Sequence, residues 1–293
     1  MINLSASIIT VSSGNLQSFD TATFNSQSGS STFITGGNIE LNQQSVYNMV
    51  DNALFTVTLG NFELNNDASF NMADSTSAII DGGNVVLNDG SVVNMNDVST
   101  SSITQGSYTL DGESVRNMAD SSSSTVNGGN FVQTGNSVSN MFDSSVSSIT
   151  SGDYIASGSS VINMNQESSA TISGGSFSLD ENAVSNMLDS SSASITAGDY
   201  TLGGNAVHNM FDSSATSIDG GNFVLTGSAI NNMFDGSSSV ITSGSYSGNG
   251  NSVSNGNDDS TLFINGGSFS LNENAISNML DSSSLEISSG SYT

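Results

Sequence analysis

Apolar side chains fall along this chain in couples two positions apart, and the couples return at a fixed interval. Between residues 184 and 210 they include Ala193 with Ile195 and then Tyr200 with Leu202. A spacing of two is the period of a strand that shows alternate residues to one face. The parity breaks between one couple and the next, so the chain must turn a corner there.

The pattern restates itself every 23 residues. Its clearest marker is the Asn of a recurring Asn-Met: Asn48, Asn71, Asn94, Asn117, Asn140, Asn163, Asn186, Asn209, Asn232, Asn255 and Asn278, with Asn25 one period earlier. With that Asn as position 1, position 2 is Met in ten copies, position 10 is Ile or Val throughout, position 15 is large and apolar, position 17 is usually Leu, and position 22 is mostly Val or Ile. Position 13 is glycine in all thirteen copies: Gly14, Gly37, Gly60, Gly83, Gly106, Gly129, Gly152, Gly175, Gly198, Gly221, Gly244, Gly267 and Gly290. An invariant glycine between two couples of different parity is expected to take the positive φ of a corner. Asp-Ser-Ser at positions 4 to 6 and the Gly, Asn and Glu of positions 18 to 20 supply two more corners.

Three short strands and three corners in 23 residues predict one turn of a parallel β-solenoid, with like positions stacked about 4.8 Å apart. The expected fold is therefore all-β: a three-sided parallel β-solenoid of about 13 rungs, in one continuous domain over residues 1–293 and roughly 60 Å long. A helical repeat is disfavoured by the abundance of Ser, Thr, Asn, Gly and β-branched residues and by the lack of a 3.6-residue period. From Tyr108 onward, position 15 alternates Tyr and Phe, so rungs pair into units of 46 residues, and "GGSFSLDENAVSNMLDSSS" at 174 returns after 92 as "GGSFSLNENAISNMLDSSS". Tandem duplication accounts for both. Length that changes by whole units suits a fibre or stalk better than an active site.

Composition narrows the function. The chain has a formal charge of −26, one Arg, one His, and no Lys, Cys, Pro or Trp. With almost no cations it has nothing to neutralise phosphates or to be drawn to anionic lipid, so nucleic acid and membrane insertion are not expected. Regularly spaced Ile, Val, Phe and Tyr argue for order despite the low hydrophobicity. The opening "MINLSASIITVSSG" lacks the basic segment of a secretory signal, which implies a mature or partial product or another export route. Arg116 gives trypsin-like proteases a single target, a property that suits exposed, protease-rich surroundings.

Candidate chemistry lies in the columns. Aspartate fills position 4 at Asp51, Asp74, Asp97, Asp120, Asp143, Asp189, Asp212, Asp235, Asp258 and Asp281, with Gln166 the exception. Stacked carboxylates repel by about 0.9 kcal/mol in water, so this column must lie at the surface or hold cations. With the neighbouring Ser and Asn oxygens it offers hard ligands for Ca²⁺, set against the plainer reading of a solvated turn. The methionines read as core filler rather than soft-metal ligands. The asparagines read as a ladder of stacked amides. His208, which shares position 23 with Arg116, has no matching nucleophile or second His and reads as a surface substitution. No unique carboxylate cluster stands out from the rungs, so no catalytic residue, and no enzyme, is expected.

Repetitive, Ser/Gly/Asn-rich acidic rungs of this kind resemble the stalks of bacterial surface adhesins and autotransporter passengers. Pieces such as "GNSVSNM" at 135–141 and "GNAVHNM" at 204–210 also resemble curlin repeats. The resemblance implies a secreted or cell-surface, biofilm-associated protein that assembles with itself. The reading that follows is a subunit of an extracellular filament formed by head-to-tail stacking of solenoid ends. Its alternative is an adhesin stalk or binding module whose repetitive face takes Ca²⁺, a glycan or a solid surface.

Overall fold

The structure, a computed structural model, describes residues 2–289 and 291–292. Gly290, the last of the repeat glycines, lies outside them. Every regular element among the described residues is a β-strand.

One turn of chain carries three strands, as in Val184–Met187, Ser192–Thr196 and Tyr200–Leu202. Each pairs in parallel with its counterpart one turn later, Asn186 with Asn209, Ile195 with Ile218 and Tyr200 with Phe223. The result is a parallel β-solenoid with three sheets, called here the Asn sheet, the hydroxyl sheet and the aromatic sheet after the residues that mark them. By contact density the chain divides into two compact units, Met1–Thr150 and Ser151–Thr293. Each is coiled in this way. In the first, Asn48, Asn71, Asn94 and Asn117 stand in register; in the second, Asn163, Asn186, Asn209 and Asn232 do. At the start of the Asn sheet Asn3 pairs with Asn25, an offset of 22 rather than 23.

Strand alternation decides what is inside. Buried pairs come from positions 23 and 2 (Tyr47, Met49), 8 and 10 (Phe55, Val57), and 15 and 17 (Phe62, Leu64). Positions 6 and 21 are buried as well and hold only small side chains, such as Ser191 and Ala206, because the corners bring the walls together. Ser99 shows how a polar group fits there: its hydroxyl donates to the carbonyl of Asn96 at 2.7 Å. The valine column at position 22 points outward, half-buried between its own copies.

The corners are left-handed. Position 4 and position 5 both take positive φ, as in Asp189 (50°) and Ser190 (62°) or Asp212 (52°) and Ser213 (62°). Asp and Asn tolerate this region because a short polar side chain meets the backbone locally. Position 19 turns likewise, at Glu181 (59°) and Gly204 (58°).

The third corner corrects the expectation for the invariant glycine. At Gly14 the glycine does take positive φ (99°), but in the later turns positive φ falls on position 12, where Ala197 (62°), Ser243 (59°) and even Leu59 (57°) adopt it beside Gly220 (76°). Position 13 is glycine for a different reason. A Cβ on Gly221 would lie 1.7 Å from the carbonyl oxygen of Gly198 one turn back, and on Gly60 1.8 Å from that of Gly37. The same close approach recurs at Gly83, Gly106, Gly129, Gly175, Gly198, Gly244 and Gly267. No rotamer relieves a clash with backbone, so the glycine column fixes how closely the turns stack.

Two neighbouring substitutions separate the causes. Gly220→Ala should cost about 1–2 kcal/mol, the penalty of a left-handed alanine, since Ala197 already occupies that position. Gly221→Ala should cost more than about 3 kcal/mol, because the turns must be forced apart. Urea midpoints followed by circular dichroism distinguish them, and equal losses would refute the stacking role.

Candidate functional site

The asparagine column is a hydrogen-bonded ladder. In the first unit each side-chain amide donates to the carbonyl oxygen of the preceding copy, from Asn48 to Asn25, Asn71 to Asn48, Asn94 to Asn71, Asn117 to Asn94 and Asn140 to Asn117, all at 2.8 Å. In the second unit Asn186, Asn209, Asn232, Asn255 and Asn278 repeat the bond at 2.9 Å. Every donor points the same way along the stack. Each bond is worth about 0.5–1.5 kcal/mol net, so the ladder adds stability in proportion to the number of turns.

All ten aspartates of position 4 stand exposed at one kind of corner. Their main chain carries the turn. The N–H of position 5 donates to the carbonyl of the aspartate one turn later, Ser190 to Asp212 at 3.0 Å and Ser213 to Asp235 at 2.9 Å. Asp51, Asp74, Asp97, Asp120, Asp143, Asp189, Asp258 and Asp281 accept in the same manner. Among the described residues no three His, Cys, Asp or Glu side chains come together in a group that could hold a metal ion. The column supplies a line of single carboxylates rather than a cage.

His208 overturns its expected place, and Arg116 shares the same interior column. Both are wholly buried, because position 23 lies two residues before the inward methionine of position 2 on the same strand. The parity that places Met210 inside places His208 inside. That signal was present in the sequence, at a position whose varied occupants disguised it.

Arg116 lies in the aromatic interior. Its Nε and Nη2 donate to the Ser139 hydroxyl at 3.1 and 2.9 Å, and its guanidinium carbon sits 4.2 Å from the Phe131 ring centre and 5.5 Å from that of Tyr108. A planar, weakly hydrated cation over ring faces is the form of positive charge an apolar interior tolerates best. Burial drives the Tyr108 phenol well above its usual range, while the cation pulls it back.

His208 is held between Tyr200, whose hydroxyl lies 2.9 Å from Nδ1, and Thr216, whose Oγ1 lies 3.4 Å from Nε2. A neutral ring satisfies both: the phenol donates to Nδ1, Nε2–H faces the threonine, and the threonine donates on to the Met210 sulfur at 3.6 Å. Burial alone lowers the imidazole pKa to about 3. Around this pair the rings of position 15 stack in an unbroken series, Tyr154, Phe177, Tyr200, Phe223, Tyr246 and Phe269, with centres 4.7 to 5.1 Å apart.

An apolar cleft of about 370 Å³ opens among the first turns, lined by residues such as Ile2, Leu16, Phe19, Phe24 and Tyr47. Its lining holds no carboxylate or imidazole, and the Tyr47 hydroxyl is already donated to Thr32 at 3.0 Å. The cleft gives no pair of groups for proton transfer. No family model, no curated protein and no solved structure matches the chain.

Two measurements check the interior placement. Because His208 has a folded pKa of about 3 against about 6.5 unfolded, the unfolded chain binds the extra proton. Stability contributed by the neutral ring is therefore full above pH 6.5 and is lost as pH falls towards 3, by roughly 4–5 kcal/mol at most. In His208→Asn, which copies Asn231 one turn later, that part of the pH slope should vanish from unfolding midpoints. A slope unchanged by the substitution would place the ring in solvent.

The second measurement uses Arg116, the sole Lys or Arg. Folded protein should resist trypsin, because the bond after a buried strand residue cannot enter a protease without local unfolding. In urea the same protease should yield two fragments, 1–116 and 117–293. Rapid cleavage of the folded chain would contradict the burial.

Proposed function

We propose that the chain is a structural subunit of an extracellular filament, extended by adding turns of another copy to an exposed strand edge. The observation that carries this reading is the interchangeability of turns. Gly against Gly and Asn against Asn recur at nearly every step within each unit, and ring against ring at every step from Tyr154 to Phe269 in the second. The lower edge of any turn therefore complements the upper edge of any other, including one from a second molecule.

A bare edge is a row of unpaired N–H and C=O groups with its ladder side chains half-satisfied, and strand addition completes both. A contact of this kind joins unlike faces. It propagates instead of closing, and so builds a filament. The adhesin-stalk and curlin-like character of the rungs supports the same reading, together with a secreted or cell-surface location. The alternative of a stalk or binding module draws on the hydroxyl sheet, whose outward positions run through Ser192, Ser194 and Thr196.

Electron microscopy of the purified 1–293 chain tests the proposal. Unbranched filaments with an axial repeat of roughly 60 Å are expected. Dispersed particles one chain in length, at every concentration and salt tried, would sink it in favour of the binding module.

A further inference from the structure

The outer face of the Asn sheet differs from the rest of the surface. In the eleven turns from Asn48 to Asn278, positions 22, 1 and 3 contain no Asp, Glu, Lys, Arg or His, although the chain carries 27 acidic residues. One edge of the face is a β-branched column, as in Val184, Val207 and Ile230; the other holds Leu188, Phe211 and Phe234; the asparagine ladder runs between. All are half-buried, with only their outer surfaces open. Phe211 and Phe234 stack with centres 5.0 Å apart, forming a ridge beside the Asp corner.

The other two outer faces carry acid. Glu40 and Glu63 stand on the aromatic sheet, with Asp111 and Asp199 at the ends of its strands, and Asp81, Asp219 and Glu286 stand on the hydroxyl sheet. Two molecules of net charge −26 that met on either would set carboxylates against carboxylates.

We propose that the Asn-sheet face is where a second copy docks side by side, face against face, about a twofold axis parallel to the stacking direction. That operator sets the valine column of one copy against the Leu/Phe column of the other and keeps the two Asp columns on opposite rims. The alternative axis, along the strands, would oppose Asp to Asp. A second copy fits better than any unrelated apolar partner because only a surface with the same axial repeat stays in step over many turns.

The area suffices. From position 22 to position 3 the face is about 17 Å wide, and each turn adds about 4.8 Å, so each contributes roughly 80 Å². The six turns from Asn163 to Asn278, all within the second unit, give roughly 480 Å² per partner, close to the roughly 1,000 Å² in total that a specific interface must clear.

Sedimentation of the 1–293 chain, with filament width read by microscopy, tests the pairing. Expected are particles two solenoids wide that associate more tightly as NaCl rises to about 0.5 M, because salt screens the rim carboxylates. Phe211→Asn with Phe234→Asn, which copies the asparagines that Asn165 and Asn257 place at the same position, should weaken pairing at least about tenfold while trypsin resistance persists. Val184→Asp with Ile230→Asp should abolish it. Particles one solenoid wide in the parent, pairing that weakens with salt, or folded variants that pair as the parent does would each overturn the proposal. Filament length reports end-to-end growth separately, so either mode can fail without the other.

Discussion

Every turn of this molecule must accept its own copy as its nearest neighbour, at the spacing of hydrogen-bonded strands. That single condition selects the residues. Asparagine satisfies it because an amide both donates and accepts, so Asn209 can give to Asn186 and receive from Asn232. Flat rings satisfy it because they stack: Tyr200 and Phe223 lie within 3° of parallel. Glycine satisfies it at position 13 because any side chain would meet the preceding carbonyl. Carboxylates do not satisfy it in a dry wall, which is why the aspartate column is confined to an exposed corner, where the residue turns the backbone and its charge stays in water.

The interior departures follow the same physics. A histidine stacked on histidines would need partners the core cannot supply, whereas one histidine among serines, threonine and phenols can be fully hydrogen-bonded while neutral. Arginine is harder to accommodate, since it cannot shed its charge; ring faces and a serine hydroxyl replace part of the water it gives up. Both side chains occur on Tyr turns, at the position facing the phenol. The neighbouring Phe turns hold smaller groups there, Ser139, Ser185 and Asn231. The double-length period is thus an alternation of ring type, and the two bulkiest polar groups of position 23 both fall on its Tyr turns, whose other members there are Ile162 and Ser254.

Period, strand content and the inward couples were legible in the sequence because strand alternation and repetition are one-dimensional signals. The site-level errors came from quantities that a single turn does not contain. An invariant glycine can answer to a positive φ or to a close neighbour, and only the distance to Gly198 tells which applies at Gly221. Position 12 concealed the real left-handed corner because it admits Leu, Gln, Ser and Ala beside Gly. Position 23 concealed itself by chemistry: a column containing Arg, His, Ser and Asn reads as surface, while its parity with Met210 and its neighbours placed it inside. The outward valine column is the complementary case, an apolar column that alternation across the asparagine places outside.

The corners also explain why such a chain cannot form one turn at a time in isolation. A turn such as the one following Asn186 holds Asp189, Ser190 and Ala197 in the left-handed region, at a cost of about 1–2 kcal/mol for each ordinary residue and less for aspartate. It makes no sheet hydrogen bonds within itself, because every strand partner lies one turn away. Corner strain and chain entropy are therefore met only when a neighbouring edge already exists, and stability becomes a sum of nearest-neighbour terms with an unfavourable first step. Under such a law, addition to an existing edge outcompetes formation of a new stack, whether the added turn belongs to the same chain or to another. The features that let the chain fold are thus those that the proposed filament would use to grow.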